Sequence, residues 1–394
     1  MEQDKAQRPG REVLANVRLG LAATLFAYSW LTIIKAPHEL LWKPTIFITE
    51  VGHLFALVPL ALTFGRLRLR RSRLAFALAL AAALLCLSPL ARCLLSVDDL
   101  VAPARLAFPD GAPFEGPGAP ARPAPMVIGD LWRFGVPEVP TRTLTFSPQH
   151  GLTLDLHALP TQDGAPRPLV IFVHGGGWST GDSTQLPDIN RHLAARGLIV
   201  AALNYRKAPE HPFPAAHEDV LAAIAWLKAH ADEHGIDASK IALVGRSAGA
   251  HLALMAAYSA KDPSIRGVFG LYGPTDLNWS WDHPANPLLY PSRKVLRDFL
   301  GGSPDERPEA YRDSAPLTLA HPGAPPTLLM HGGRDGLVSL RQSERLAARL
   351  DEIGVRHALV ALPWSNHAFD ANLYGPSGQP YVYCLERFLG DTLR

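Results

Sequence analysis

Apolar positions divide the chain into two regions of different rhythm. Before residue 100 they run almost unbroken, through Leu14 to Ile34, Thr45 to Phe64 and Leu74 to Leu95. Each run is about 20 residues, and at about 1.5 Å of rise per residue each can cross a hydrocarbon core of about 30 Å. The pattern predicts three transmembrane helices. A secretory leader followed by buried core helices is the competing reading, but no small-residue cleavage site ends the first run, and the next two are too long and too apolar. Residues 101–140 then lose the pattern. Pro109, Pro113, Pro117, Pro120, Pro123 and Pro125 block helix and ladder alike, which predicts an extended, semi-rigid linker.

From Thr141 to Arg394 the rhythm changes again. Thr141 to Phe146 and Leu152 to Ala158 alternate around a Pro- and Gly-containing turn and predict an opening antiparallel hairpin. Short continuous apolar runs follow at Leu169 to Val173, Leu198 to Leu203, Ile241 to Val244, Gly267 to Leu271, Thr327 to Met330 and Ala358 to Leu362. Between them, stretches such as His217 to His230 and Ser339 to Ile353 repeat apolar residues at three and four. Strands alternating with helices predict an α/β fold whose mostly parallel sheet is covered on both faces, with ligands gathering at the carboxyl ends of the strands.

Charge adds orientation and excludes a partner. The 38 Lys+Arg against 36 Asp+Glu leave a formal charge of +2, no footprint for nucleic acid. The basic residues near the apolar runs are uneven, however. The amino-terminal tail has Lys5, Arg8, Arg11 and Arg18, and the second loop has Arg66, Arg68, Arg70, Arg71 and Arg73, whereas the first loop has only Lys35 and Lys43. With three spans both basic segments fall on one side, so the amino terminus is expected in the cytoplasm and residues 141–394 in the periplasm or outside the cell, with the bilayer as a partner. Glu50 and His53 lie one turn apart inside the second run; an interfacial or interhelical hydrogen bond is the expected role of each. The three cysteines, Cys86, Cys93 and Cys384, suit neither a disulfide framework nor a zinc cluster.

The chemistry concentrates after three strands. Gly245-Arg246-Ser247-Ala248-Gly249 directly follows the strand Ile241 to Val244 and opens the helical pattern Ala250 to Ala260. Two glycines around a serine permit a sharp strand-to-helix turn that exposes the hydroxyl. His174-Gly175-Gly176-Gly177-Trp178 ends another strand, and its glycines let backbone N–H groups approach a ligand; with the N–H of Ala248 they can bind an oxyanion. A nucleophilic serine needs a base and the base an orienting acid, in the chain order serine, acid, histidine. Asp335 and His367, both just past strands, satisfy that order. His331 is the rival base and Asp276 the rival acid, while His251 is expected to pack away from the turn. Trp178 and Arg246, beside the two motifs, are the candidate substrate contacts, with a solvated or salt-bridged role the alternative for Arg246.

Together with Asn204 to Ala216, these motifs resemble the α/β-hydrolase superfamily, specifically the hormone-sensitive-lipase-like and feruloyl-esterase-like carboxylesterases, over about residues 141–394. The resemblance implies an α/β-hydrolase fold, Ser247 as nucleophile, His367 as base, Asp335 as its partner, and an oxyanion hole of the Gly175, Gly176 and Ala248 N–H groups. It also implies an ester substrate with neither cofactor nor metal. Lipase-like members commonly carry an acidic residue where this chain has Arg246, and the apolar runs before residue 100 are no part of the usual unit. Asn278 to Tyr311, with Trp279, Trp281, Tyr290 and Phe299, suits a cap over an acyl pocket. The same triad can cleave amides, including arylformamides and peptides, or pass an acyl group to an alcohol; a non-catalytic tethered binding module and a membrane-embedded transporter or sensor are the readings from other classes.

Overall fold

The computed structural model describes residues 8–64, 70–112, 114, 116, 122–160 and 164–394. Eight strands form one sheet: β1 (Thr141–Ser147), β2 (Leu152–His157), β3 (Arg167–Val173), β4 (Ile199–Leu203), β5 (Ile236–Arg246), β6 (Ile265–Leu271), β7 (Thr327–Gly332) and β8 (His357–Leu362). Their order is β1-β2-β4-β3-β5-β6-β7-β8. β2 pairs antiparallel with both β1 and β4, and every later pair is parallel. The alternating pair β1 and β2 thus becomes the antiparallel edge. The continuous apolar runs become the parallel strands, because both their faces are covered.

Each face has its own core. Leu169, Ile171, Val173 and Leu243 point to one, with Val220, Leu252 and Leu346 from the covering helices. Val170, Phe172, Val200, Val244 and Phe269 point to the other, against Leu193, Leu385 and Phe388.

The amino-terminal region departs from expectation. It forms α1 (Arg8–Ser29), α2 (Glu39–Phe55), α3 (Leu57–Ala61) and α4 (Arg70–Ala107). Among the described residues only one helix, Arg71–Ala107, is long and apolar enough to cross a membrane; a second is counted if the pair Glu39–Glu50 and Gly52–Ala61, bent by 83°, is one span. The expected three spans are therefore corrected. The first apolar run is not one helix: α1 stops at Ser29 and a 3-10 turn, Trp30–Thr32, follows. The second breaks around Ala56. Without three spans, the charge argument no longer fixes which side residues 141–394 occupy. Lys5, Arg66 and Arg68, on which it partly rested, lie outside the described residues.

The stretch assigned to an extended linker is folded where it is described. α4 continues to Ala107, because Cys93, Val97, Val101, Ala104 and Phe108 recur at helical spacing and are buried in the second core. Phe108 meets Phe388 edge to face at 5.0 Å between ring centroids. Further on, Arg122 bonds Gln379 Oε1 at 2.8 Å and pairs with Asp130 at 3.0 Å, while Val127 N–H donates to Gln379 at 2.7 Å. Pro113, Pro117 and Pro120 lie outside the described residues. One long helix therefore packs its first half against α1, through Ala22, Ala75 and Ala79, and its second half against the sheet.

Replacing Phe108 with Ala is expected to destabilise the folded chain by about 3–5 kcal/mol, the usual loss for a buried ring. Unfolding followed by tryptophan fluorescence of the full chain in detergent measures it. A change within about 0.5 kcal/mol would mean that residue 108 behaves as surface.

Candidate active site

Ser247 stands at the junction of β5 and α5 (Ala248–Ser259), with φ 54° and ψ −123°. That conformation is strained for a residue with a side chain, and the surrounding packing imposes it. A Cβ at Gly245 would lie 2.2 Å from Gly249 O, and one at Gly249 would lie 2.1 Å from Val173 O, so both flanking positions require glycine. The turn leaves the Ala248 N–H at the start of the helix without an intrahelical acceptor.

Two loops past the strands complete the constellation. Ser247 Oγ lies 2.9 Å from His367 Nε2, and His367 Nδ1 lies 2.6 Å from Asp335 Oδ2. With Nδ1–H donating to the carboxylate, Nε2 is left to accept the serine proton. Asp335 Oδ1 accepts from the N–H groups of Leu337 and Val338, at 2.8 and 2.9 Å. Burial alone would push the Asp335 carboxyl up, but His367 and His331 facing it hold it well below the usual carboxylate range. His331 sits 3.3 Å from Asp335 Oδ2, and its Nδ1 accepts from the Ser343 hydroxyl at 2.8 Å, so it braces the acid loop. Asp276 instead caps a short helix, accepting from Trp279 N–H at 3.0 Å, and pairs with Arg345. His251 packs beneath the turn, bonded to Ser314 O at 2.6 Å, and desolvation pushes its pKa down to about 3.

Two expected roles change. The Gly175 N–H, expected in the oxyanion hole, donates to Gln185 Oε1 at 2.8 Å. Gly177, whose φ is +57°, lines the cavity with Ser247 and Ala248, and the N–H groups of Gly176 and Gly177 have no described acceptor. Arg246 is not placed to touch substrate. It is buried, its Nε donates to Asp370 Oδ2 at 2.8 Å, its Nη1 donates to Gln185 O at 2.8 Å, and it lies over the Phe172 ring. Arg246 therefore fixes Gln185, which in turn fixes Gly175. Trp178 does line the cavity, but its indole N–H donates to His251 and its ring stacks on Phe299 at 4.2 Å, so it offers only a flat apolar wall.

Several supporting residues were not singled out from sequence. The Tyr272 hydroxyl donates to Asp370 Oδ1, and the Tyr272 ring lies 4.4 Å from that of His367. Asp370 falls three residues after His367, a proximity that was visible. The amino-terminal helices also reach the loops. Lys35 Nζ donates to Asp335 O at 2.8 Å, and Asn366 Nδ2 donates to Thr49 Oγ1 at 3.1 Å. Arg334 donates to the carbonyls of Thr32 at 2.5 Å, Leu31 at 2.6 Å and Ile34. Glu50 accepts from Ser377 N–H at 3.1 Å and His53 donates to Leu131 O at 3.1 Å, so both are hydrogen-bonded to segments later in the chain.

A mostly parallel sheet with a serine on a strand-to-helix turn, and an imidazole and a carboxylate on later strand ends, defines an α/β-hydrolase. The sequence profile of the BD-FAE family matches residues 154–350, half of the chain, and the chain belongs to that family. It is 33% identical over 248 residues to esterase LipC of Mycobacterium tuberculosis, covering 58% of this chain and 59% of that protein. It is 32% identical over 240 residues to the probable carboxylic ester hydrolase LipM of the same organism, covering 57% and 54%. The match thus spans less than two thirds of either relative. Among solved structures, a bacterial heroin esterase superposes with a TM-score of 0.57 at 25% identity, covering 65% of this chain and 85% of that one. A thermostable esterase from Pseudomonas putida ECU1011 gives 0.56 at 25% identity, covering 65% and 83%.

Because the Asp335 carboxyl is held below its unfolded range, its ionised pairing stabilises the fold above about pH 4 and the contribution is lost as the pH falls through the lower folded value. Asp335→Asn is therefore expected to lower the unfolding midpoint at pH 7 and to differ less from the unchanged protein at pH 3. Equal gaps at both pH values, read by thermal unfolding, would contradict the pairing.

Proposed function

We propose that this chain is a membrane-anchored serine carboxylesterase. The observation that carries the reading is the continuous hydrogen-bonded line from Ser247 Oγ through His367 to the buried Asp335. His367 takes the serine proton as Oγ bonds to the ester carbonyl carbon, and the oxyanion is held by backbone N–H groups. The donors we assign are those of Gly176, Gly177 and Ala248, since the Gly175 N–H is engaged by Gln185. The alcohol then leaves with the proton from His367. Water, deprotonated by the same imidazole, releases the acyl group as a carboxylic acid. The similarity to LipC, LipM and the two solved esterases supports an ester over an amide as the bond attacked.

The acyl group enters a cavity of about 50 Å³ walled by Trp178, Trp279, Tyr290, Val295 and Leu296, which are ring and aliphatic surfaces suited to a short acyl chain. Two cap helices between β6 and β7, Leu277–Asp282 and Ser292–Leu300, bring Trp279, Val295 and Leu296. Anchoring rests on the apolar length of α4, with the bent α2 and α3 as a second membrane element. The exposed large apolar side chains support it. Twenty-two of twenty-three among the described residues lie between Val13 and Phe134.

Ser247→Ala is expected to fold normally, to lose turnover of 4-nitrophenyl acetate by at least about 1000-fold, and to stop reacting with a fluorophosphonate probe. Retained turnover in the purified variant would overturn the assignment of the nucleophile.

A further inference from the structure

The twenty-third exposed apolar side chain, Leu288, is the one belonging to residues 141–394 among those described, and it is 64% exposed. It lies in the cap, and its carbonyl accepts from Glu39 N–H at 2.9 Å, which brings it beside Leu40, itself 80% exposed. Asn286 Nδ2 also donates to Pro37 O at 3.0 Å, so the cap and the loop between α1 and α2 are joined at this point. Ile33, Ile34 and Leu41 are exposed on the same amino-terminal segment. The apolar surface of the amino-terminal helices therefore runs up to the cap.

Behind that rim is a cleft of about 460 Å³, between the loop Lys35-Ala36-Pro37 on one side and Trp279, His283 and Leu289 of the cap on the other. It shares Trp279, His283, Ala285, Leu337 and Ser339 with the cavity at Ser247, so the two adjoin across these side chains. Its remaining wall is Asp335, Gly336 and Leu337, the loop that holds the partner of His367. The cleft is thus lined by the loop whose carboxylate orients the imidazole. Acyl transfer requires the leaving alcohol near that imidazole, because His367 must protonate it.

Resting on the esterase reading, we infer that the substrate is a short-chain acyl ester of a bilayer-resident lipid alcohol, which reaches Ser247 through the cleft between residues 35–37 and the cap without leaving the membrane. The asymmetry of volumes assigns the two halves. At about 10–15 Å³ for one water, the cavity of about 50 Å³ accepts only a few heavy atoms, whereas the cleft accepts a chain. In the reaction the bond from Ser247 Oγ to the carbonyl carbon forms and the bond from that carbon to the lipid oxygen breaks. The lipid oxygen takes the proton that His367 drew from the serine, and the alcohol remains in the bilayer. Water then converts the acyl-serine to the free short-chain acid.

The test uses the full chain in phosphatidylcholine vesicles with three esters: 4-nitrophenyl acetate in solution, hexadecyl acetate in the bilayer, and 4-nitrophenyl hexadecanoate in the bilayer. The expected result is turnover of both acetates, with the hexadecanoate at least tenfold slower than hexadecyl acetate. The double variant Leu40→Ser, Leu288→Ser should reduce the ratio of hexadecyl acetate to 4-nitrophenyl acetate turnover about tenfold, a ratio that unfolding of part of the sample does not alter. An unchanged ratio, or preference for the long acyl chain, overturns the inference and leaves the esterase intact. Failure to turn over any of the three removes the esterase reading itself, and the inference with it.

Discussion

A guanidinium withdrawn from water must find acceptors, and Arg334 finds them where the rest of the molecule can be organised around it. It is 7% exposed, next to the candidate catalytic acid, and it donates to backbone carbonyls, chiefly those of Leu31, Thr32 and Ile34. Those carbonyls belong to the turn after α1, which has no further helix to satisfy them. Two deficits cancel: a buried cation without a carboxylate, and a helix end without N–H donors. Removing either partner would leave the other desolvated and unpaired, which costs more than a single hydrogen bond contributes. Burial nonetheless pushes the Arg334 pKa down to about 10, so it remains charged at neutral pH. Because Asp335 is the next residue, the position of the amino-terminal helices and the position of the carboxylate are set together.

A similar coupling explains α4. A helix of 38 residues spans about 57 Å, far more than a bilayer requires. Its second half has a stripe of buried side chains against the sheet, and its first half packs on α1 through alanines that allow close approach. Such an element cannot be removed without uncovering Phe388, whose ring Phe108 meets at the end of the helix. α4 is thus part of the folded core and not a separable segment.

Much of the sheet was legible in the sequence because parallel strands buried on both faces read as continuous apolar runs, and β3 to β8 all coincide with such runs. The serine, histidine and aspartate were legible because each follows one of them directly. What was not legible follows from the limits of the same signals. Apolarity reports exclusion from water but does not distinguish lipid from protein, so Cys93 to Leu95 looked like the end of a membrane span although the helix goes on into the sheet core. The spacing of Cys93, Val97, Val101 and Ala104 was the signal that could have shown it. Proline content suggested an open linker, yet Arg122 and Val127 have partners more than 250 positions away, in the last helix. The roles of Arg246 and Gly175 depend on Gln185, a residue in no motif.

Rigid attachment would also constrain what an enzyme anchored as proposed can reach. A flexible linker of about 40 residues has a root-mean-square span of about 35 Å and would let the site face any direction. Here the loop between α1 and α2 touches both the acid loop, through Lys35, and the cap, through the contact of Pro37 with Asn286. The mouth of the cleft therefore keeps one orientation relative to the exposed apolar faces of the helices. An enzyme acting on dissolved esters gains nothing from that restriction and loses encounters on the occluded side. An enzyme acting on esters already held in the bilayer gains a substrate confined near the opening, so the energy spent on fixing the helices to the loops is consistent with a substrate that arrives laterally.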